Sequence, residues 1–165
     1  MRLIVIAFLA VNSLAGAGAH AQERVAFFGM TLLDTSLQTD GGDAAPPEVA
    51  RIALLEEMVR ARFKDEGYLL VDIEPARKEI DRVVNLAKCY GCDTRIATQL
   101  GADYALVGEV QKVSDLILAI NLQLRAADTG EMVKGGVVDI RGNTDDSWTR
   151  GMRYILKNRF FVEEK

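Results

Sequence analysis

Cys89-Tyr90-Gly91-Cys92 is the spacing in this chain best suited to chemistry. Two thiols separated by two residues can close a disulfide, exchange it, or hold a soft metal. The loop they close is very small, so a disulfide here acts mainly as local rigidity. Asp93 follows as a cap residue, which puts Cys92 at a helix N-terminus, where a thiol pKa is lowered. The thioredoxin pattern is not matched. That motif follows a strand and faces a proline, whereas this one follows a helical stretch and Pro46, Pro47 and Pro75 all lie upstream. Zinc needs about four ligands, and the chain has 2 cysteines and 1 histidine. A structural disulfide is therefore the favoured reading. Redox exchange is the alternative, and a copper(I) site completed by a methionine is formally open.

A second group is Asp34, Asp40 and Asp43 around Gly41-Gly42. Three carboxylates suit a hard cation, but their spacing is not that of a calcium loop, and a solvated loop is the better reading. A third group is Glu109, Gln111 and Lys112, with Asn121, Gln123 and Arg125 on the next strand. Their alternation predicts an exposed polar sheet face. That face, or the edge strand beside it, is a natural docking site for a partner protein.

Templates for catalysis are missing. There is no G-x-S-x-G, Walker loop or G-x-G-x-x-G. The one histidine, His20, falls in a segment that reads as a secretory signal. Arg2 is the positive region, Leu3–Val11 the apolar stretch, and Ala19-His20-Ala21 the cleavage site. Residues 1–21 are thus expected to be removed, leaving 22–165 as one exported domain in the periplasm. That domain would have no histidine for Ser-His-Asp or Cys-His mechanisms. It is expected to be non-catalytic, to need no cofactor, and to insert in no membrane. The formal charge of −4 argues against nucleic acid.

The elements that position these residues follow from periodicity. At 49% hydrophobic and 27% charged, the chain has the composition of a packed domain. Arg24–Asp34 is an almost continuous apolar run, the pattern of a strand covered on both faces. Glu48–Lys64 is an amphipathic helix started by Pro46-Pro47. Tyr68–Ile73 reads as a strand, Pro75–Ala87 as a helix with Ile80, Val83, Val84 and Ala87 inward, and Asp93–Leu100 as a short helix. Ala102–Ser114, Leu116–Ala126 and Met132–Arg141 are three strands. Ser147–Phe160 is a last helix capped by Asp145 or Asp146. The βαβαβββα order predicts an α/β fold in which parallel strands joined by helices run into an antiparallel meander, a mixed five-stranded sheet.

Ile96–Glu131 carries a recognisable string: Leu100-Gly101-Ala102-Asp103, then Val107-Gly108, then the turn Asp128-Thr129-Gly130-Glu131. It resembles the amino-terminal α/β domain of TolB and the curli secretion lipoprotein family. The resemblance implies the same fold and, through those proteins, no activity. Together with Cys89 and Cys92, the string also resembles a family of small exported proteins of unknown function found near quinoprotein alcohol dehydrogenase systems. That resemblance implies an accessory protein working on an unidentified periplasmic protein, or a small-ligand or metal carrier linked to alcohol oxidation. The residues themselves have structural readings. Gly101 closes a helix, Gly108 admits the close approach of a helix or bends the strand, Asp103 sits at the strand entry, and Asp128 and Gly130 shape a turn.

Overall fold

A computed structural model describes residues 22–36 and 44–162; the signal-like segment and Asp40 and Asp43 lie outside the described residues. Five strands form one sheet in the order β2-β1-β3-β4-β5. These are β1 (Arg24–Asp34), β2 (Leu69–Leu70), β3 (Tyr104–Ser114), β4 (Ile117–Ala126) and β5 (Met132–Arg141). β1 runs parallel to β2 and β3, while β3, β4 and β5 are antiparallel. The expected mixed five-stranded α/β sheet is the architecture found.

Helices α1 (Pro46–Asp65) and α4 (Asp145–Ile155) cover one face. Leu55, Val59 and Phe63 of α1 and Trp148, Met152 and Ile155 of α4 meet Leu106, Leu118, Ile120, Leu122 and Leu124 in a single apolar core. A π-helical turn, Leu156–Phe160, extends α4 and brings Phe160 onto Phe63. The other face is covered only in part. Helix α3 (Cys92–Gln99) and the short turns before it pack Ile80, Leu86, Ala87, Ile96 and Ala97 on Ala26, Ala105 and Val107.

Several elements differ from the periodicity reading. The segment Pro75–Ala87 is not one helix. It is a 3-10 turn (Glu74–Ala76), a single α turn α2 (Arg77–Ile80), and a second 3-10 turn (Leu86–Lys88). Val84, expected inward, is 95% exposed. The chain leaves the helix because the Asn85 carbonyl oxygen caps the next turn, accepting from the Ala87 N–H. The second strand shrinks to Leu69–Leu70. The last helix is capped by Thr144, whose hydroxyl accepts from the Ser147 N–H at 3.2 Å; Asp145 and Asp146 instead occupy its first turn. Asp93 is not a cap either. Gly91, in the left-handed region, precedes α3, and Asp93 turns inward.

Gly101 has φ +70 and follows α3. The Asp103 carboxylate accepts from the Arg24 backbone N–H at 2.7 Å and pairs with its guanidinium, tying β3 to the start of β1. Gly130 has φ +75 in the β4–β5 turn, and the Asp128 carboxylate accepts from the Thr129 N–H. Gly108 is filled by a strand neighbour rather than a helix: the Met30 thioether of β1 lies where a Cβ would stand.

Candidate functional site

Cys89 and Cys92 are joined as a disulfide with Cα atoms 5.6 Å apart. Cys92 is buried at the first position of α3, and Cys89 is half-buried. The loop between them is forced into the left-handed region, with Tyr90 at φ 54 and Gly91 at φ 95. Tyr90 stands fully exposed on that loop. No group of three or more metal-binding side chains occurs among the described residues.

The polar residues of β3 do not form the expected exposed face. Glu109 is buried on the α3 side, where the Asn85 amide donates to it and Lys88 pairs with it at 2.9 Å. Lys112 is buried on the opposite side, at the end of the parallel strands. Its ammonium lies 2.7 Å from Glu48, 3.1 Å from Asp115 and 3.4 Å from Asp34. The Asn143 amide also donates to Glu48 at 2.8 Å, and its oxygen accepts from Trp148 and Arg51. Burial alone would raise the Glu48 carboxyl, but the hydrogen bonds from Lys112 and Asn143 outweigh it and hold the group below the usual carboxylate range. At Lys112 burial would lower the ammonium pKa, but the hydrogen bonds to Glu48 and Asp115 and the charge of Asp34 outweigh it and push it up. Sequence reasoning missed this cluster because Glu48 and Lys112 are 64 residues apart. The one local signal was an acidic residue in the first turn of α1, which also accepts from the Ala45 N–H.

Asn121, Gln123 and Arg125 of β4 do share one side of the sheet, each half-buried there. β4 turns Leu118, Ile120, Leu122 and Leu124 to the core, so Ile117, Asn121, Gln123 and Arg125 lie on the opposite side. Register places Arg141, Val137 and Gly135 of β5 beside Ile117, Asn121 and Gln123. Among the described residues, no helix covers this half of the face. Arg125 closes its boundary with α3, reaching Asp93 at 3.2 Å and Gln123 at 2.6 Å. The other Asp93 carboxylate oxygen is buried without a hydrogen-bond partner in the structure. Ile117, Met132, Val133 and Val137 are exposed along this half and its rim. A cavity of about 610 Å³ runs along β5, lined by Asn121, Gln123, Met132, Gly135, Val137 and Arg159 among others. This uncovered half-sheet and its edge form the candidate site. Among the described residues, no nucleophile and base are brought together on it.

Comparison with known proteins gives a family and a fold. The model of the DUF3280 family, described as a protein of unknown function (DUF2380), matches residues 23–160. No curated protein matches the chain. Among solved structures, it is similar to the LpoB C-terminal domain from Salmonella enterica, with a TM-score of 0.51 and 18% identity over 76% of this chain and 87% of that one. The LpoB C-terminal domain from Escherichia coli gives 0.50 and 17%, over 77% and 88%. A lipoprotein from Neisseria meningitidis gives 0.49 and 13%, over 74% and 82%. At these identities the likeness shows the fold alone.

Proposed function

The chain belongs to the DUF3280 family, and we propose that it works as a non-catalytic accessory module of the periplasm, acting through contact with another protein. The observation that carries this reading is the uncovered β4–β5 half of the sheet. A half-face with Ile117 and Val137 exposed on it, beside an open edge, is a surface shaped for a partner. Export rests on the signal-like residues 1–21. The resemblance of the sequence to exported proteins found near quinoprotein systems makes periplasmic alcohol-oxidising complexes the first proteins to screen.

The test is site-specific photo-crosslinking in intact cells, with the cross-linker at Val137, at Asn121 and, as a control, at Val49 on the exposed side of α1. Discrete adducts of one mass from Val137 and Asn121, absent from Val49, are expected. Adducts from none of the three, or equally from all, refute the reading. Thiol–disulfide exchange is the rival, favoured by the placement of Cys92 at the start of α3. A reduction potential below about −300 mV for Cys89–Cys92 marks a structural bond and removes it.

A further inference from the structure

The two edges of the sheet differ sharply. β2 is two residues long, a blunted edge. β5 is ten residues long. Past an irregularity near Met132, it pairs regularly with β4 from Lys134 to Arg141. Its outward backbone groups have no backbone partner among the described residues. In its middle, Gly135 and Gly136 remove side chains from both faces at once. A Cβ at Gly135 would meet Met132, and one at Gly136 would meet Ile155 and Arg159. Gly136 is thereby buried under Ile155 and Arg159, while Gly135 stays exposed at the 610 Å³ cavity.

Two cations, Lys134 and Arg159, stand at that stretch, and Glu66, which lines the neighbouring cavity with Lys134, is paired with Arg62. Lys134 donates to the Phe160 carbonyl at 2.8 Å and lies over the Phe161 ring, and Arg159 runs its stem across Gly136. Neither has a carboxylate partner among the described residues, although ion pairs are common elsewhere in the chain. On the open side, the Asn121 amide is half-buried with no hydrogen-bond partner among the described residues, between Gly135 and Val137.

We propose that β5 receives an extended, acidic segment of the partner protein as a sixth strand. This rests on the protein-contact reading and names where and by what chemistry that contact is made. Backbone groups of the guest pair with β5 between Lys134 and Val138, as in strand addition generally. Side chains of an extended guest alternate in direction. A carboxylate on the helix-covered side meets Lys134 and Arg159. Its two neighbours in sequence then point to the open side, where Met132 and Val137 favour small apolar groups and Asn121 offers a hydrogen bond. A second copy of this chain is a poor guest. A two-fold pairing of β5 with itself keeps the same face on the same side. It would bring two Lys134–Arg159 pairs together with no carboxylate between them.

The experiment is a ¹⁵N-NMR titration of the full exported chain with two blocked nonapeptides. Both have valines flanking the central residue and serines elsewhere; one has glutamate at the centre, the other lysine. The expected result is saturable shifts of the Lys134–Val138 amides and the Asn121 side-chain amide with the glutamate peptide, and at least tenfold weaker binding of the lysine peptide. Arg159→Glu should reverse that preference, with an unchanged far-ultraviolet spectrum showing that the fold is intact. Equal affinity for the two peptides, shifts confined to other surfaces, or no binding overturns the proposal. If the crosslinks from Val137 survive such a negative result, the protein-contact reading stands without strand addition. If they too are absent, both fall. A dimer in sedimentation that Val137→Asp dissolves would make the guest a second copy and also overturn it.

Discussion

The two sides of β4 live in different environments, although the same ten residues supply both. On one side Leu118, Ile120, Leu122 and Leu124 are all essentially buried under α1 and α4. On the other, Asn121 and Gln123 face a region that no helix covers. The first side holds the fold. The second is free to vary, because little packing depends on it. A domain of this size can complete its main core with one fully covered face, and half of the other face carries no helix among the described residues.

The contrast is broken most forcefully at Trp148. It is 0% exposed, and its indole N–H donates to Asn143 at 3.1 Å. Trp148→Ala removes the largest buried side chain among the described residues and leaves that amide oxygen with Arg51 as its donor. A loss of about 3–5 kcal/mol is expected in urea denaturation. A loss below about 1 kcal/mol would mean that α4 is not seated as described.

Next in size is the charge cluster at the end of the parallel strands. Lys112→Met leaves Glu48 buried beside Asp34 and Asp115 without its ammonium, and a loss of about 3 kcal/mol at pH 7 is expected. The pH dependence gives a sharper reading. In the wild type the Glu48 carboxyl is lowered in the folded state. Its contribution is therefore present above the ordinary carboxylate pKa and is lost as pH falls through the lowered folded value. In the variant, burial acts on Glu48 without Lys112 to oppose it, so protonation relieves the folded state. The stability gap between the two proteins should narrow from pH 7 to about pH 4. A constant gap would show that packing, and not charge, carries the effect.

Gly108→Val is a smaller perturbation on the covered side. The new side chain must displace the Met30 thioether, at a cost of about 1–3 kcal/mol. Combining it with Met30→Ala should recover about 1 kcal/mol relative to the sum of the single changes. Strict additivity would mean that the two residues do not share that space.

These sites also mark what a sequence can disclose. The mixed five-stranded sheet was legible because the apolar run of β1, the alternation of β4 and the turn at Asp128-Thr129-Gly130 are local patterns. The break after Ile80 was not, since Val83, Val84 and Ala87 keep helical spacing while Asn85 diverts its side chain to cap Ala87 and to reach Glu109. Glu109 and Lys112 looked exposed because alternation gives a side, and not what covers it. The partners that bury them, Asn85 and Glu48, come from distant segments. The open half was legible only as a conditional: β4 shows a polar side, but the lack of a helix over it depends on where α3 ends.

The smallest expected change in stability belongs to that open half, and it most directly sharpens the comparison. Asn121 has no side-chain partner among the described residues, and Val137 is 59% exposed. Asn121→Ala and Val137→Asp should each shift unfolding by no more than about 0.5 kcal/mol. Both should nevertheless abolish the adducts formed by a cross-linker placed at the neighbouring Gly135. Leu122→Ala, one residue along β4 from Asn121 but facing the core, should do the reverse in purified protein. It should lose about 2–5 kcal/mol and, below its unfolding midpoint, still bind. Loss of stability on both sides would mean that the open half belongs to the core. Loss of binding on neither would place the contact surface elsewhere, with Tyr90 on its disulfide loop the next position to test.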